Sequence, residues 1–211
     1  MARRRVAVLI SGRGSNMQAL IDAAARPDYP AEIVRVVANV PEAGGLARAA
    51  AAGIATETID HRKFPDRPAF EAALDASLRA CDTELVCLAG FMRLLTPGFV
   101  EAWRDRMINI HPSLLPKFPG LDTHARALQA GERLAGCTVH FVRPVMDSGP
   151  LLVQAEVPVE PGDDEHRLAA RVLQAEHRAY PLALALVASG RVQVAGEQAL
   201  IDGQPGPIRL H

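Results

Sequence analysis

Asn109 and His111 stand two residues apart at the end of an apolar run, Met107-Ile108-Asn109-Ile110-His111. On a strand, residues i and i+2 share a face, so the amide and the imidazole would project side by side. An amide can donate to a carbonyl oxygen as it becomes an oxyanion, and an imidazole can move a proton near neutral pH. Pro112 then turns the chain away. The same spacing also suits two polar side chains that only satisfy loop backbone. Asp147 sits in Met146-Asp147-Ser148-Gly149, a turn-like stretch where an aspartate ordinarily bonds nearby backbone. Placed against His111, it would favour the imidazolium and raise the histidine pKa. Spacing alone does not bring the two together.

A second candidate is Ser11-Gly12-Arg13-Gly14-Ser15-Asn16, between the apolar run Val6 to Ile10 and a helix-like stretch. A helix N-terminus after a parallel strand offers N–H groups and a favourable dipole to a phosphate, and glycines let the backbone approach closely. Met17 stands where a dinucleotide fingerprint wants its third glycine, and the Gly-Lys-Ser/Thr of a Walker loop is absent. A tight strand-to-helix turn with no ligand is the plain alternative. Among the other histidines, His61, His166 and His211 read as solvated and His124 as opening a short helix. His140 reads as a core histidine that could line the site. No HExxH or paired Cys/His spacing supports a metal.

These residues need elements to position them. Val6 to Ile10, Ile33 to Ala38, Ala55 to Ile59, Leu85 to Leu88 and Met107 to Ile110 read as strands. Helices are expected after Ser15 or Asn16, over Leu46 to Ala52 and over Phe70 to Ala80. This rhythm predicts an α/β fold: a Rossmann-like, mostly parallel sheet flanked by helices on both faces. After His111 and a Pro-rich loop, Thr138 to Val142 and Leu151 to Val157 suggest an antiparallel C-terminal addition. A long helix is expected over about Asp164 to Ala188, an edge strand over Arg191 to Val194, and a tail over 196–211.

The chain has 211 residues, 49% of them hydrophobic, and a formal net charge of -1. That suits a single domain over 1–211, with a core of about 5–195 and no need of disulfide or metal staples. The charge balance gives no general pull toward nucleic acid or membrane. Three cysteines, Cys81, Cys87 and Cys137, form no disulfide framework. The run after the N-terminal arginines is too short for a signal peptide, and no stretch approaches the roughly 20 apolar residues of a membrane span. A cytoplasmic protein is expected.

Six segments occur in order: Ile10 to Asn16, Leu88 to Arg93, Asn109 to Pro116, Pro119-Gly120, Thr138 to Val142, and Asp147 to Pro150. Together they resemble the folate-dependent formyltransferases. The glycine loop and Ala175-Glu176-His177 narrow the resemblance to the phosphoribosylglycinamide formyltransferases, from about Val6 to Val194. The resemblance implies 10-formyltetrahydrofolate as cosubstrate, 5-phosphoribosylglycinamide as acceptor, no metal, and a monomer or homodimer. It implies that Asn109, His111 and Asp147 are catalytic. Gly14, Ser15 and Asn16 would hold the acceptor phosphate, and Glu176 would also contact the acceptor. Met92, Arg93, Leu94, Leu95, Asn109, Arg143, Pro144, Val145, Met146 and Asp147 would line the folate pocket, with Arg67 added by alignment position. Leu173 replaces a polar residue of some family members. Two relatives within this resemblance are a formyltetrahydrofolate hydrolase, expected to carry an extra N-terminal domain, and a methionyl-tRNA formyltransferase, expected to carry a C-terminal one. A non-catalytic folate or nucleotide binding module is an alternative of a different class.

Overall fold

The computed structural model describes residues 2–211. The described residues divide into two compact units, 2–108 and 109–211. In the first, apolar strands alternate with helices: β1 (Arg4–Ile10), α1 (Ser15–Ala24), β2 (Ala31–Ala38), α2 (Gly45–Ala51), β3 (Ala55–Thr58), α3 (Arg67–Ala80), β4 (Leu85–Leu88) and α4 (Pro97–Ala102). The strand β5 (Met107–His111) begins in this unit and ends in the second. The strands run in the order β4-β1-β2-β3, and all these pairings are parallel. Val6 to Ile10 are wholly buried, as a parallel strand covered on two faces requires. Met17, Leu20 and Ile21 form the buried stripe of α1, as their helical spacing predicts. Side-chain caps from Asp66 and Thr96 start α3 and α4.

The start of α1 differs from expectation. Neither Ser15 nor Asn16 caps it; Gly14 does, with φ 72° and no side-chain bond. A side chain there would be strained in the left-handed region, and its Cβ would lie 2.9 Å from Gly45 Cα. The loop after β1 and the N-terminus of α2 therefore meet backbone to backbone, with Gly45 N–H bonded to Gly12 O at 3.0 Å.

The second unit holds the end of β5, α5 (Thr123–Gln129), β6 (Leu134–Phe141), β7 (Leu151–Pro158) and α6 (Glu165–Ala188). β6 and β7 pair antiparallel, as expected, and α6 packs on both. Asp164 caps α6 through Arg167 N–H. Two expectations are corrected here. The segment around Arg191 to Val194 does not edge the main sheet. As β8 (Val192–Ala195) it pairs with β9 (Gln198–Ile201), which pairs with β10 (Gln204–Pro205), in a separate antiparallel sheet. The expected tail holds β9, β10 and also β11 (Ile208–Leu210), which adds to β7 in parallel. Arg209 seals that edge with an ion pair to Glu156 at 3.0 Å. Three residues are too few to show a strand period, so only the partner strand reveals β11. No helix among the described residues is long and apolar enough to cross a membrane.

Candidate active site

β5 delivers Asn109 and His111 to one face at its end, as the alternation of the strand requires. His111 is 5% exposed. Its Nε2 lies 2.9 Å from Phe118 O, and its Nδ1 lies 3.4 Å from Asp147 Oδ2. The turn after β6 carries Asp147 at φ 53°, with its side chain 9% exposed. Gly120 N–H donates to Asp147 Oδ2 at 2.9 Å. The turn and the histidine, remote in sequence, thus meet inside the second unit.

His140 completes the group. Its Nδ1 faces Phe141 O at 2.8 Å, so that nitrogen carries the hydrogen. Its Nε2 then accepts from Asn109 Nδ2 at 3.3 Å and stands 3.6 Å from Asp147 Oδ1. This arrangement fixes the Asn109 amide with one N–H toward His140 and leaves the second Nδ2 hydrogen for a ligand. His140, buried in the core, thus contacts two of the three side chains expected to be catalytic.

The electrostatics oppose one expectation. Asp147 does raise the proton affinity of His111, as does the Phe118 carbonyl, but burial outweighs both and leaves the imidazole pKa below its ordinary value. His140 and Arg126 push in the same downward direction. For Asp147, burial raises the pKa. The His140 contact, the Gly120 N–H and the nearby imidazoles outweigh that and hold the carboxyl below its usual range. The resting site is therefore a carboxylate beside a histidine that is readily neutral. A neutral His111 with its hydrogen on Nε2 presents the Nδ1 lone pair as a base.

In the first unit, α1 makes its first backbone bond from Gln18 N–H to Gly14 O. The N–H groups of Ser15, Asn16 and Met17 precede that bond, at the positive end of the helix. Beside them, Ser11 Oγ donates to Asn39 Oδ1 at 2.5 Å and accepts from Met92 N–H at 2.7 Å. His61, expected to be solvated, instead joins this cluster through the carbonyl of Asn39 at 2.9 Å and its amide at 3.2 Å. No motif in the sequence singles out Gly45 or Asn39. The Gly44-Gly45 pair before an alanine-rich helix was the available signal for the first; Asn39, at the end of a buried strand, was the signal for the second.

The remaining predicted residues divide by exposure. Met92 and Leu94 are exposed apolar side chains in the irregular segment after β4, and Val145 and Met146 are exposed in the turn before Asp147. Arg93 Nε is buried with no hydrogen-bond partner. Arg67 is exposed at the first turn of α3, and Pro144 is exposed. Arg143 points elsewhere: its side chain is 5% exposed and donates from Nε to Glu197 Oε2 at 2.9 Å. Glu176 is buried on α6.

Residues 4–184 match the Formyl transferase family. The chain belongs to that family. Among formyltransferases of known name, it is 45% identical over 202 residues to phosphoribosylglycinamide formyltransferase of Escherichia coli, covering 96% of this chain and 95% of that protein. It is 54% identical over 198 residues to the trifunctional purine biosynthetic protein adenosine-3 of Drosophila pseudoobscura pseudoobscura. That match takes 92% of this chain but 14% of the fly protein, so the chain spans only a small part of this longer relative. The structure of phosphoribosylglycinamide formyltransferase from Coxiella burnetii superposes with a TM-score of 0.94 at 43% identity, covering 99% of this chain and 100% of that one.

Proposed function

We propose that this chain transfers the formyl group of 10-formyltetrahydrofolate to the amine of 5-phosphoribosylglycinamide, giving the formylated ribonucleotide and tetrahydrofolate in purine biosynthesis. The observation that carries this reading is the convergence of Asn109, His111 and Asp147, with His111 Nδ1 3.4 Å from the carboxylate. The near end-to-end similarity to the Escherichia coli enzyme supports the choice of acceptor. Cys81, Cys87 and Cys137, none of them in a disulfide, accord with a reducing, cytoplasmic setting.

The amine nitrogen attacks the formyl carbon, and the carbonyl electron pair moves onto oxygen. The unused N–H of Asn109 donates to that oxyanion. His111 Nδ1 takes the proton that the attacking nitrogen sheds, and the resulting imidazolium is stabilised by Asp147 and by the oxyanion. As the intermediate collapses, the bond from carbon to the folate N10 breaks, and His111 returns the proton to that nitrogen. No protein nucleophile enters.

The family resemblance supplies the binding roles. Gly14, Ser15 and Asn16 hold the acceptor phosphate at the start of α1, and by resemblance Glu176 also contacts the acceptor. Met92, Arg93, Leu94, Leu95, Val145 and Met146 serve the folate, where the exposed apolar side chains cover its rings and the unpartnered Arg93 Nε supplies a donor. By resemblance Pro144 and Arg67 also serve the folate. Arg143 contributes backbone only, because Glu197 already engages its side chain.

An assay with formyl-folate, run with and without glycinamide ribonucleotide, tests the reading: product should form only with the acceptor. Formate release without acceptor would point to a hydrolase, and ligand binding without turnover to a binding module. Asp147→Asn should lower kcat by about 100- to 1000-fold with little change in either KM, because it weakens charge stabilisation in the transition state. Near-normal turnover in that variant would sink the role given to Asp147. Gly14→Ala should raise KM for the ribonucleotide more than KM for the folate, since its Cβ would push on Gly45 Cα and reshape the phosphate loop. Titration of both substrates reads this out, and equal changes in the two would count against the loop's role.

A further inference from the structure

Between His111 and α5 the chain has no regular structure, yet many polar groups of 113–118 have identifiable partners. Two buried residues of the adjoining strands hold three of them, Ser113 O, Leu115 N–H and Leu115 O: Thr138 on β6, 0% exposed, and Gln154 on β7, 3% exposed. They are direct cross-strand partners. Thr138 Oγ1 donates to Ser113 O at 2.7 Å and accepts from Leu115 N–H at 3.0 Å and from Gln154 Nε2 at 3.0 Å. That uses the one hydrogen and both lone pairs of the hydroxyl. Gln154 Nε2 gives its other hydrogen to Leu115 O at 2.8 Å. Within the segment, Ser113 Oγ donates to Lys117 O at 2.6 Å, and Lys117 N–H donates to Leu114 O at 3.1 Å.

The last residue so held is Lys117, and Phe118 follows it directly at φ 54°. A bulky side chain does not choose the left-handed region unaided, so the anchored segment imposes it. The consequence falls on His111: the Phe118 carbonyl is the acceptor for its Nε2. An acceptor on one ring nitrogen decides which tautomer is populated and which nitrogen is left for chemistry.

We propose that Thr138 and Gln154 are positioning residues for formyl transfer: they hold 113–118 so that Phe118 O takes the Nε2 hydrogen of His111 and Nδ1 becomes the working nitrogen. The proposal rests on His111 being the proton-transfer group. Replacing the hydroxyl with a methyl in Thr138→Val strands three buried groups at once: the Ser113 carbonyl, the Leu115 N–H and one Gln154 hydrogen. Thr138→Ser keeps every bond.

The test measures kcat, both KM values and the imidazole 15N resonances of His111 in the full-length protein, with folding checked by thermal melt. Thr138→Val should lower kcat by about 10- to 100-fold, in the range typical of a displaced supporting group, with both KM values nearly unchanged. Its His111 resonances should move from a single tautomer with hydrogen on Nε2 toward a mixture. Thr138→Ser should restore both readouts. Gln154→Met, which keeps the volume and loses the donors, should repeat the Val phenotype, and it carries the test should Thr138→Val not fold. Near-normal kcat in folded Thr138→Val or Gln154→Met, beside an inactive His111→Ala, overturns the proposal alone. A fall in kcat with unchanged His111 resonances also overturns it. An active His111→Ala overturns the mechanism on which it rests.

Discussion

His111→Ala is expected to lower kcat by about 10²- to 10⁴-fold, the range for loss of a positioned acid–base group. The variant removes the acceptor of the attacking amine's proton and the cation that faces the oxyanion. It leaves a small void at the end of β5, not a stranded charge, because Asp147 keeps the Gly120 N–H. Folding should therefore survive, and both KM values should change far less than kcat. The wild-type pH profile gives a second check. Burial holds the His111 pKa below its ordinary value, so the neutral base persists to lower pH than a free imidazole would allow. Activity should fall on the acid side as His111 becomes protonated, with the midpoint in kcat/KM below the usual value of about 6.5. His111→Ala should lose that acid limb. A variant with more than a tenth of wild-type turnover, or an unaltered limb, would remove His111 from the mechanism.

Gly149→Ala should be severely damaging although it touches no functional group. A Cβ at this position would lie 1.9 Å from Phe141 O and 3.1 Å from Arg143 Cγ. The first contact is with backbone at the end of β6, so no side-chain rotation relieves it. The turn that carries Asp147 must shift outward. Overpacking of this kind costs about 3 kcal/mol. A displacement near 1 Å at Asp147 should cost about 100-fold in kcat. Denaturant unfolding and steady-state kinetics measure the two effects. Gly98→Ala is the control: nothing lies within 4 Å of its added Cβ, and it sits in the first turn of α4. It should leave both quantities near wild type. A Gly149→Ala protein as stable and active as the control would show that the turn tolerates the displacement.

Much of this architecture was legible in the sequence because its signals are local. Val6 to Ile10 reads as a buried strand since every residue is apolar, and it is buried throughout. The stripe of α1 and the Asp164 start of α6 depend on periodicity and capping within one helix. Asn109 and His111 share a face through strand alternation alone. The local rules failed where a distant partner decides. The separate β8-β9-β10 sheet and the addition of β11 to β7 depend on which edge is free, and no three-residue run encodes that. Gly14 displaced Ser15 and Asn16 as the cap because Gly45 comes within reach of it, a contact made by the packing of two loops.

The candidate site divides in the same way. The sequence by itself determined that an amide and an imidazole stand together at the end of a strand, and that a glycine loop precedes the first helix. Those statements need only backbone period and residue type. Tertiary structure decided the rest. It brought Asp147 to within 3.4 Å of His111, added His140 to the group, turned Arg143 away toward Glu197, and set Phe118 O on the imidazole. It also reversed the expected direction of the His111 pKa. A carboxylate neighbour raises that value, as residue types suggest, but the desolvation that opposes it depends on everything packed around the ring. Burial is a property of the assembled fold, and no spacing along the chain contains it.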